Sequence, residues 1–161
     1  MERVLVIGSP GAGKTTLALA RGEKLGLPVT HLDVLHWRDG WVEAPREEFD
    51  ALLAEALARP RWIIDGNYSR TVEVRIRACD TAIFLDYPEA LCMAGVAARV
   101  GQVRPDMPWT ESDLDPELVA LVRNYARDNR PFLLDLFQKY ADKQVITFTD
   151  RTQADRWLSE R

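Results

Sequence analysis

Residues 8–15 read Gly8-Ser9-Pro10-Gly11-Ala12-Gly13-Lys14-Thr15, the pattern G-x-x-x-x-G-K-[ST]. The run Arg3–Gly8 before it is apolar and suits a strand buried on both faces. A helix-like run opens at about Gly13. Strand, glycine loop and helix in that order are the context this P-loop motif requires. Glycine lets successive backbone N–H groups turn inward around phosphate oxygens. The helix that follows points its positive end at the same anion. Lys14 then reaches the β- and γ-phosphates as a compact charge, and the Thr15 hydroxyl is the expected Mg²⁺ ligand. The predicted nucleotide-binding set is Gly8, Ser9, Pro10, Gly11, Ala12, Gly13, Lys14, Thr15 and Thr16, with ATP and Mg²⁺ as the cofactors it implies.

The rest of the chain extends this start. Strand-like and helix-like runs alternate, which predicts an α/β domain with a parallel sheet. The first helix ends at Gly26-Leu27-Pro28, a glycine stop with proline just beyond. Val29–Asp33 reads as strand two, Trp62–Asp65 as strand three, Thr81–Asp86 as strand four and Val145–Thr149 as the last strand. A helix opens at Pro45 and closes at Pro60, with Phe49, Leu52, Leu53, Ala56 and Leu57 on one face. No element is assigned between Asp65 and Thr81. The run from Pro88 to Gly101 is apolar on nearly all sides and predicts a helix buried on more than one face. Gly101–Pro116, with four turn-forming residues, reads as one long irregular stretch, a lid in a single domain spanning 1–161. Asp115-Pro116-Glu117 starts a helix with Leu118, Leu121, Val122 and Tyr125 on its apolar stripe. Pro131 is expected to break or kink it, since it removes the bond to the carbonyl of Arg127. Asp150 and Gln153 form a capping box for the final helix.

Composition narrows the partners. With 161 residues the chain can bury about 68–70% of its unfolded surface, enough for a core without staples. No stretch approaches the roughly 18 apolar residues of a membrane span, and the N-terminal apolar run is too short for a signal peptide. The net charge of −4 argues against a direct, sequence-independent grip on nucleic acid. Cys79 and Cys92 lack metal-ligand or disulfide spacing, so both are expected as buried thiols in a reducing, cytoplasmic setting.

The runs RVLVIGSPGAGKTTLA, HLDVLHW, WIIDGNY and RPDM resemble the small P-loop proteins called topology modulation proteins, which are similar to adenylate kinase and other small-molecule kinases. The resemblance covers Arg3 to about Pro131. It implies a five-stranded parallel sheet in the order 2-3-1-4-5, with helices on both faces and a short lid. Ligands of open α/β sheets bind beyond the carboxyl ends of the strands. Asp65 matches the aspartate of the Asp-Gly element of nucleotide kinases and is the expected metal-side carboxylate. Asp33 matches an acceptor-binding aspartate of shikimate-type kinases and is expected to orient or deprotonate a hydroxyl. Nucleotide kinases follow Asp-Gly with a residue, proline and arginine that grip a monophosphate. Here the run is Asp65-Gly66-Asn67-Tyr68-Ser69-Arg70, which lacks the proline and displaces the arginine. Asn67 and Tyr68 are candidates to bond a polar acceptor instead. Asp86 is read as structural.

Phosphoryl transfer spreads negative charge that arginines stabilise. Arg99 stands where adenylate-kinase-like proteins carry a catalytic arginine, and Arg104 lies in the lid. Arg123, Arg127 and Arg130 follow at i, i+4 and i+7, on one helix face if the helix is continuous. The expected catalytic set is Lys14, Asp33, Arg99 and Arg127, with Thr15 and Asp65 serving the metal. Trp37, Trp41 and Trp109 fall in expected loops, where a tryptophan is usually half-buried packing; Trp37 and Trp41, which flank Arg38 directly after Asp33, are also candidates to stack on a flat acceptor. His31 is expected to pack on strand two, and neither it nor His36 has metal-ligand company. The sequence thus reads as an ATP- and Mg²⁺-dependent phosphotransferase acting on a small-molecule acceptor. The alternative reading is a regulatory nucleotide-binding protein whose lid state controls a partner.

Overall fold

The computed structural model describes residues 1–104 and 110–160. Pro105, Pro108 and Trp109, and with them the RPDM run beyond Arg104, lie outside the described residues. β1 (Arg3–Gly8) leads through the glycine loop into α1 (Lys14–Leu25), which stops at Gly26 with φ 65°. β2 (Val29–His31), α2 (Leu32–His36) and a small hairpin of β3 (Trp37–Arg38) and β4 (Val42–Glu43) follow. Next come α3 (Arg46–Leu57), β5 (Trp62–Asp65), α4 (Ser69–Ala78), β6 (Thr81–Leu85) and α5 (Glu89–Ala98). Then come α6 (Pro116–Asp128), α7 (Arg130–Lys139), β7 (Gln144–Phe148) and α8 (Arg151–Glu160).

The main sheet has five parallel strands in the order β2-β5-β1-β6-β7. Counted among its own strands this is 2-3-1-4-5, as expected. Side chains alternate across a strand, and β1 shows the consequence. Leu5 and Ile7 enter a core with Trp62, Ile64 and Phe84, closed by residues of α3, α4 and α7. Val4 and Val6 enter a second core with Ile63, Ile83 and Leu85, closed by α1, α5 and α8. The sheet is therefore buried on both faces, which is why its strands are apolar runs rather than alternating ones. Among the described residues no helix is long and apolar enough to cross a membrane.

Four expectations change in the structure. Strand two stops at His31 instead of Asp33, because its partner β5 ends at Asp65, opposite His31. With no further ladder available the chain turns into α2, and Asp33 sits in its first turn. The unassigned stretch after Asp65 holds the ten-residue helix α4. Its apolar residues Val72, Val74 and Ile76 alternate like a strand, but the buried stripe is Val72 and Ile76 with Thr71 and Arg75, and Val74 is exposed. α5 buries one face only, through Cys92 and Val96, since its apolar character comes largely from small residues that tolerate exposure. The arginine stripe is interrupted: α6 ends and α7 begins around Asn129, two residues before Pro131, so Arg130 starts a new helix and pairs with Asp86 through two hydrogen bonds of 2.9 and 3.0 Å. Cys79 and Cys92 are buried free thiols, and burial pushes Cys79 up to about 11.

Candidate active site

The glycine loop is shaped by close backbone approach. Gly11 (φ 81°) and Gly13 (φ 94°) both lie in the left-handed region. A Cβ on Gly11 would stand 2.0 Å from the Cys92 carbonyl oxygen, and one on Gly95 would stand 2.0 Å from the Gly11 carbonyl oxygen. The loop and α5 therefore touch backbone to backbone, with glycine on both sides. Arg151, the first residue of α8, donates to the carbonyl oxygens of Ala12 and Gly11, both at 3.1 Å. These bonds occupy the Gly11 and Ala12 carbonyls and hold the loop in shape, while the Ala12 N–H donates to the Ser9 carbonyl oxygen at 3.1 Å.

Lys14 Nζ donates to the Ser9 carbonyl oxygen at 3.0 Å. Burial pulls its pKa down to about 8, while Asp33 and then Asp65 pull it up and Arg99 lowers it further. These four charges feel one another across a single cleft of about 1060 Å³. That volume matches the upper end of ordinary ligand sites. Thr15, Thr16, Asp33, Asp65, Arg99 and Arg104 all line it with Lys14.

Asp65 ends β5 and is 4% exposed. Burial raises its pKa, and a 2.6 Å hydrogen bond with His31 Nδ1 opposes that rise. His31 is thus a partner of Asp65, a contact its place on strand two did not announce. Asp33 faces the cleft from α2. Tyr68 Oη donates to Asp33 Oδ1 at 2.5 Å, and Arg104 Nη2 stands 3.8 Å from Asp33 Oδ2. Glu111 Oε2 lies 3.3 Å from Arg104 and 3.5 Å from Arg99, so one carboxylate gathers both arginines.

Tyr68 holds φ 38°, a costly conformation for a bulky residue. Arg75 accounts for it. Its fully buried guanidinium donates to the carbonyl oxygens of Gly66 (2.9 Å), Asn67 and Tyr68 (3.3 Å) and to Thr71 Oγ1 (3.2 Å). Burial pulls its pKa down to about 9, which still leaves it charged at neutral pH. Neither Arg75 nor Glu111 was singled out from sequence. Arg75 hides in the strand-like alternation of α4, although an arginine at i+4 from Thr71, between Val72 and Ile76, was the available signal.

Arg127 is not brought to the cleft. It is 73% exposed and pairs with its neighbour Asp128 at 2.8 Å. Arg123 is exposed and Arg130 is tied to Asp86; neither lines the cleft. Among the described residues no group of three or more His, Cys, Asp or Glu side chains is arranged to hold a metal. The oxygen donors Thr15 and Asp65 instead fit Mg²⁺, which keeps waters and takes one or two protein oxygens beside substrate phosphates.

Solved structures that share the fold include two small-molecule kinases. A shikimate kinase from Bacteroides thetaiotaomicron is 21% identical, with a TM-score of 0.55, over 99% of this chain and 95% of that chain. A gluconokinase from Sinorhizobium meliloti 1021 is 14% identical, with a TM-score of 0.59, over 99% of this chain and 92% of that chain. At such identities the likeness speaks to architecture. No curated protein matches the chain. The family model described as "ATPase family associated with various cellular activities (AAA)" matches residues 4–100, the span that runs from β1 through the glycine loop to the end of α5. With more than half its length matched, the chain belongs to that family of ATPases, and it carries the P-loop in a small-kinase architecture.

Proposed function

We propose that the protein is a Mg²⁺-dependent kinase that moves the γ-phosphoryl group of ATP to a hydroxyl of a small molecule. The observation that carries this reading is the field around Lys14, which joins the P-loop cation to Asp33, Asp65 and Arg99 in one cleft. A carboxylate outside the metal side can take a proton from water or from an acceptor hydroxyl; the room beyond it, walled by Trp37, Trp41 and Tyr68, favours an acceptor. Asp33 fills that place, oriented by Tyr68.

The roles follow from position. The loop N–H groups and Lys14 bind the β- and γ-phosphates. Thr15 and Asp65 hold the metal and its waters; Mg²⁺ supplies charge neutralisation of the phosphates when bound. Asp33 orients the acceptor hydroxyl and takes its proton. Arg99 and Arg104, held by Glu111, stabilise charge on the transferring group. Residues 101–116 act as the lid that excludes water, which otherwise competes as acceptor. Arg127 is left out of this set because its side chain faces solvent. The narrower resemblance to topology modulation proteins rests on the quoted sequence runs alone.

The second reading, a nucleotide-dependent regulator, draws on the AAA family match, since the family description names ATPases and not kinases. ADP release measured with and without pooled nucleosides, nucleotides and sugars separates the two. Stimulation by an acceptor, with a phosphorylated product by mass spectrometry, supports the kinase. ATP binding with no acceptor-dependent turnover supports the regulator.

A further inference from the structure

The two ends of the cleft differ in chemistry. Beyond Asp33 the walls are His36, Trp37, Trp41, Glu43 and Tyr68. The Trp37 and Trp41 rings meet edge-on with centroids 5.5 Å apart. His36 stands 4.6 Å from Trp37 and 4.8 Å from Tyr68. Trp41 follows Gly40 in the hairpin turn, holds φ 61°, and keeps 40% of its surface exposed. A large ring held in the left-handed region that lines a cleft is not explained by packing in a core.

Charge at this end has one sign. The cations lining the cleft, among the described residues, are Lys14, Arg99, Arg104 and Arg151. Lys14 and Arg151 bond the P-loop. Arg99 and Arg104 share Glu111, and Arg104 reaches toward Asp33. Arg38 and Arg70, on neighbouring elements, are bound to Glu48 and Asp50, and neither lines the cleft. Past Asp33 the lining therefore offers the Glu43 carboxylate and aromatic faces. Recognition of a carboxylate or phosphate on an acceptor calls for the opposite, a guanidinium fork aimed at it.

The geometry points to an acceptor that carries no anionic group and presents a flat ring: a nucleoside, rather than a hydroxy acid or a nucleoside monophosphate. This rests on the kinase reading and specifies its substrate class. The ring stacks on the tryptophan shelf, and the sugar hydroxyl faces Asp33 Oδ2, which Tyr68 does not engage and Arg104 approaches to 3.8 Å. A bond forms from that hydroxyl oxygen to the γ-phosphorus of ATP. The bond from the γ-phosphorus to the β–γ bridging oxygen breaks, the hydroxyl proton passes to Asp33, and ADP leaves.

The test supplies Mg-ATP with four sets of acceptors: nucleosides, nucleoside monophosphates, the hydroxy acids shikimate and gluconate, and aminosugars. Products are read by mass spectrometry, and ATP binding is measured separately by calorimetry. Nucleosides are expected to be phosphorylated best. Trp41→Ala, at an exposed site that the core does not need, is expected to raise the nucleoside KM by about tenfold through lost stacking, with a far smaller change in kcat. Preference for hydroxy acids or monophosphates would overturn the proposed class while leaving the kinase standing. Preference for aminosugars, or an unchanged nucleoside KM in Trp41→Ala, would overturn the stacking shelf. ATP binding without a phosphorylated product in any set would bring down the kinase reading itself.

Discussion

The phosphate end and the acceptor end of the cleft are built from different materials. The phosphate end is eight consecutive residues whose chemistry is mostly backbone: two left-handed glycines, a helix start and one lysine. The acceptor end is made of side chains that arrive from α2, the β3–β4 hairpin, the loop before α4 and the residues after α5. A backbone site demands a fixed local spacing and so leaves a motif. A side-chain site demands only that distant residues meet, and many spacings satisfy that. The difference also sets what each end tolerates, because a backbone cradle fails through its glycines and its single charge, whereas an assembled pocket fails piece by piece.

The sharpest contrast comes from one substitution at each end. Lys14→Ala is expected to lower turnover by about 10²–10³-fold, the usual cost of removing a group that stabilises transition-state charge. ATP binding measured by calorimetry weakens with it. Asp33→Asn is expected to cut acceptor transfer by about 10²-fold, as for loss of a positioned base, with ATP affinity nearly intact. If Asp33→Asn removed ATP binding as Lys14→Ala does, the two ends would be one.

Arg75 probes how the acceptor end is held. Arg75→Met leaves the Gly66, Asn67 and Tyr68 carbonyls without their donor, which is expected to lower stability in urea unfolding by about 1–3 kcal/mol. Because Tyr68 then loses its fixed grip on Asp33, the acceptor KM should rise while the ATP KM stays close to wild type. Arg75→Lys keeps the charge but not the fork and should rescue only part of the loss. Equal loss at both ends would make Arg75 a matter of general stability.

A pH experiment reads Lys14, whose charge both ends of the cleft influence. Folding lowers the Lys14 pKa from 10.5 to about 8, so the folded chain holds that proton less tightly than the unfolded one. Lys14 thus costs stability below about pH 8, and the cost fades as pH rises toward the unfolded value. Phosphates restore the charge. ATP binding should therefore take up a proton above about pH 8 and weaken as pH climbs further. Calorimetry in two buffers of different ionisation heat measures the uptake; none at alkaline pH would separate Lys14 from the phosphates. The smallest effect is expected at Arg127→Ala, which should leave ATP and acceptor kinetics unchanged while Arg104→Ala lowers kcat, since only Arg104 faces the cleft.

This division explains what could be read from the chain. The P-loop and the stop at Gly26 were legible because each rests on local spacing, whereas the strand order came with the family resemblance. The Pro131 break was legible because proline lacks the donor a helix needs. α4 was not, because Val72, Val74 and Ile76 carry a period of two and the helix buries an arginine where a hydrophobe was the signal sought. Asp33 was picked out, but its setting was not, since the end of β2 is decided by where β5 stops. The His31–Asp65 bond, 34 residues apart in sequence, and the sharing of Glu111 by two arginines exist only after the sheet has formed.

Arg151 carries a consequence for synthesis. It completes the P-loop by bonding residues 139 and 140 positions earlier in the chain. β1, the strand that launches the loop, lies at the centre of the sheet and needs β5 and β6 beside it. At about 5–20 residues per second, some 140 residues take roughly 7–28 s to emerge from a ribosome. Throughout that interval the first-made segment of the nucleotide site lacks the helix that braces it. Nascent chains released from ribosomes before residue 151 should then retain ATP poorly even though every residue of the motif is present. Capture of chains stalled before and after α8 on immobilised ATP would reveal a step at that point rather than a gradual gain.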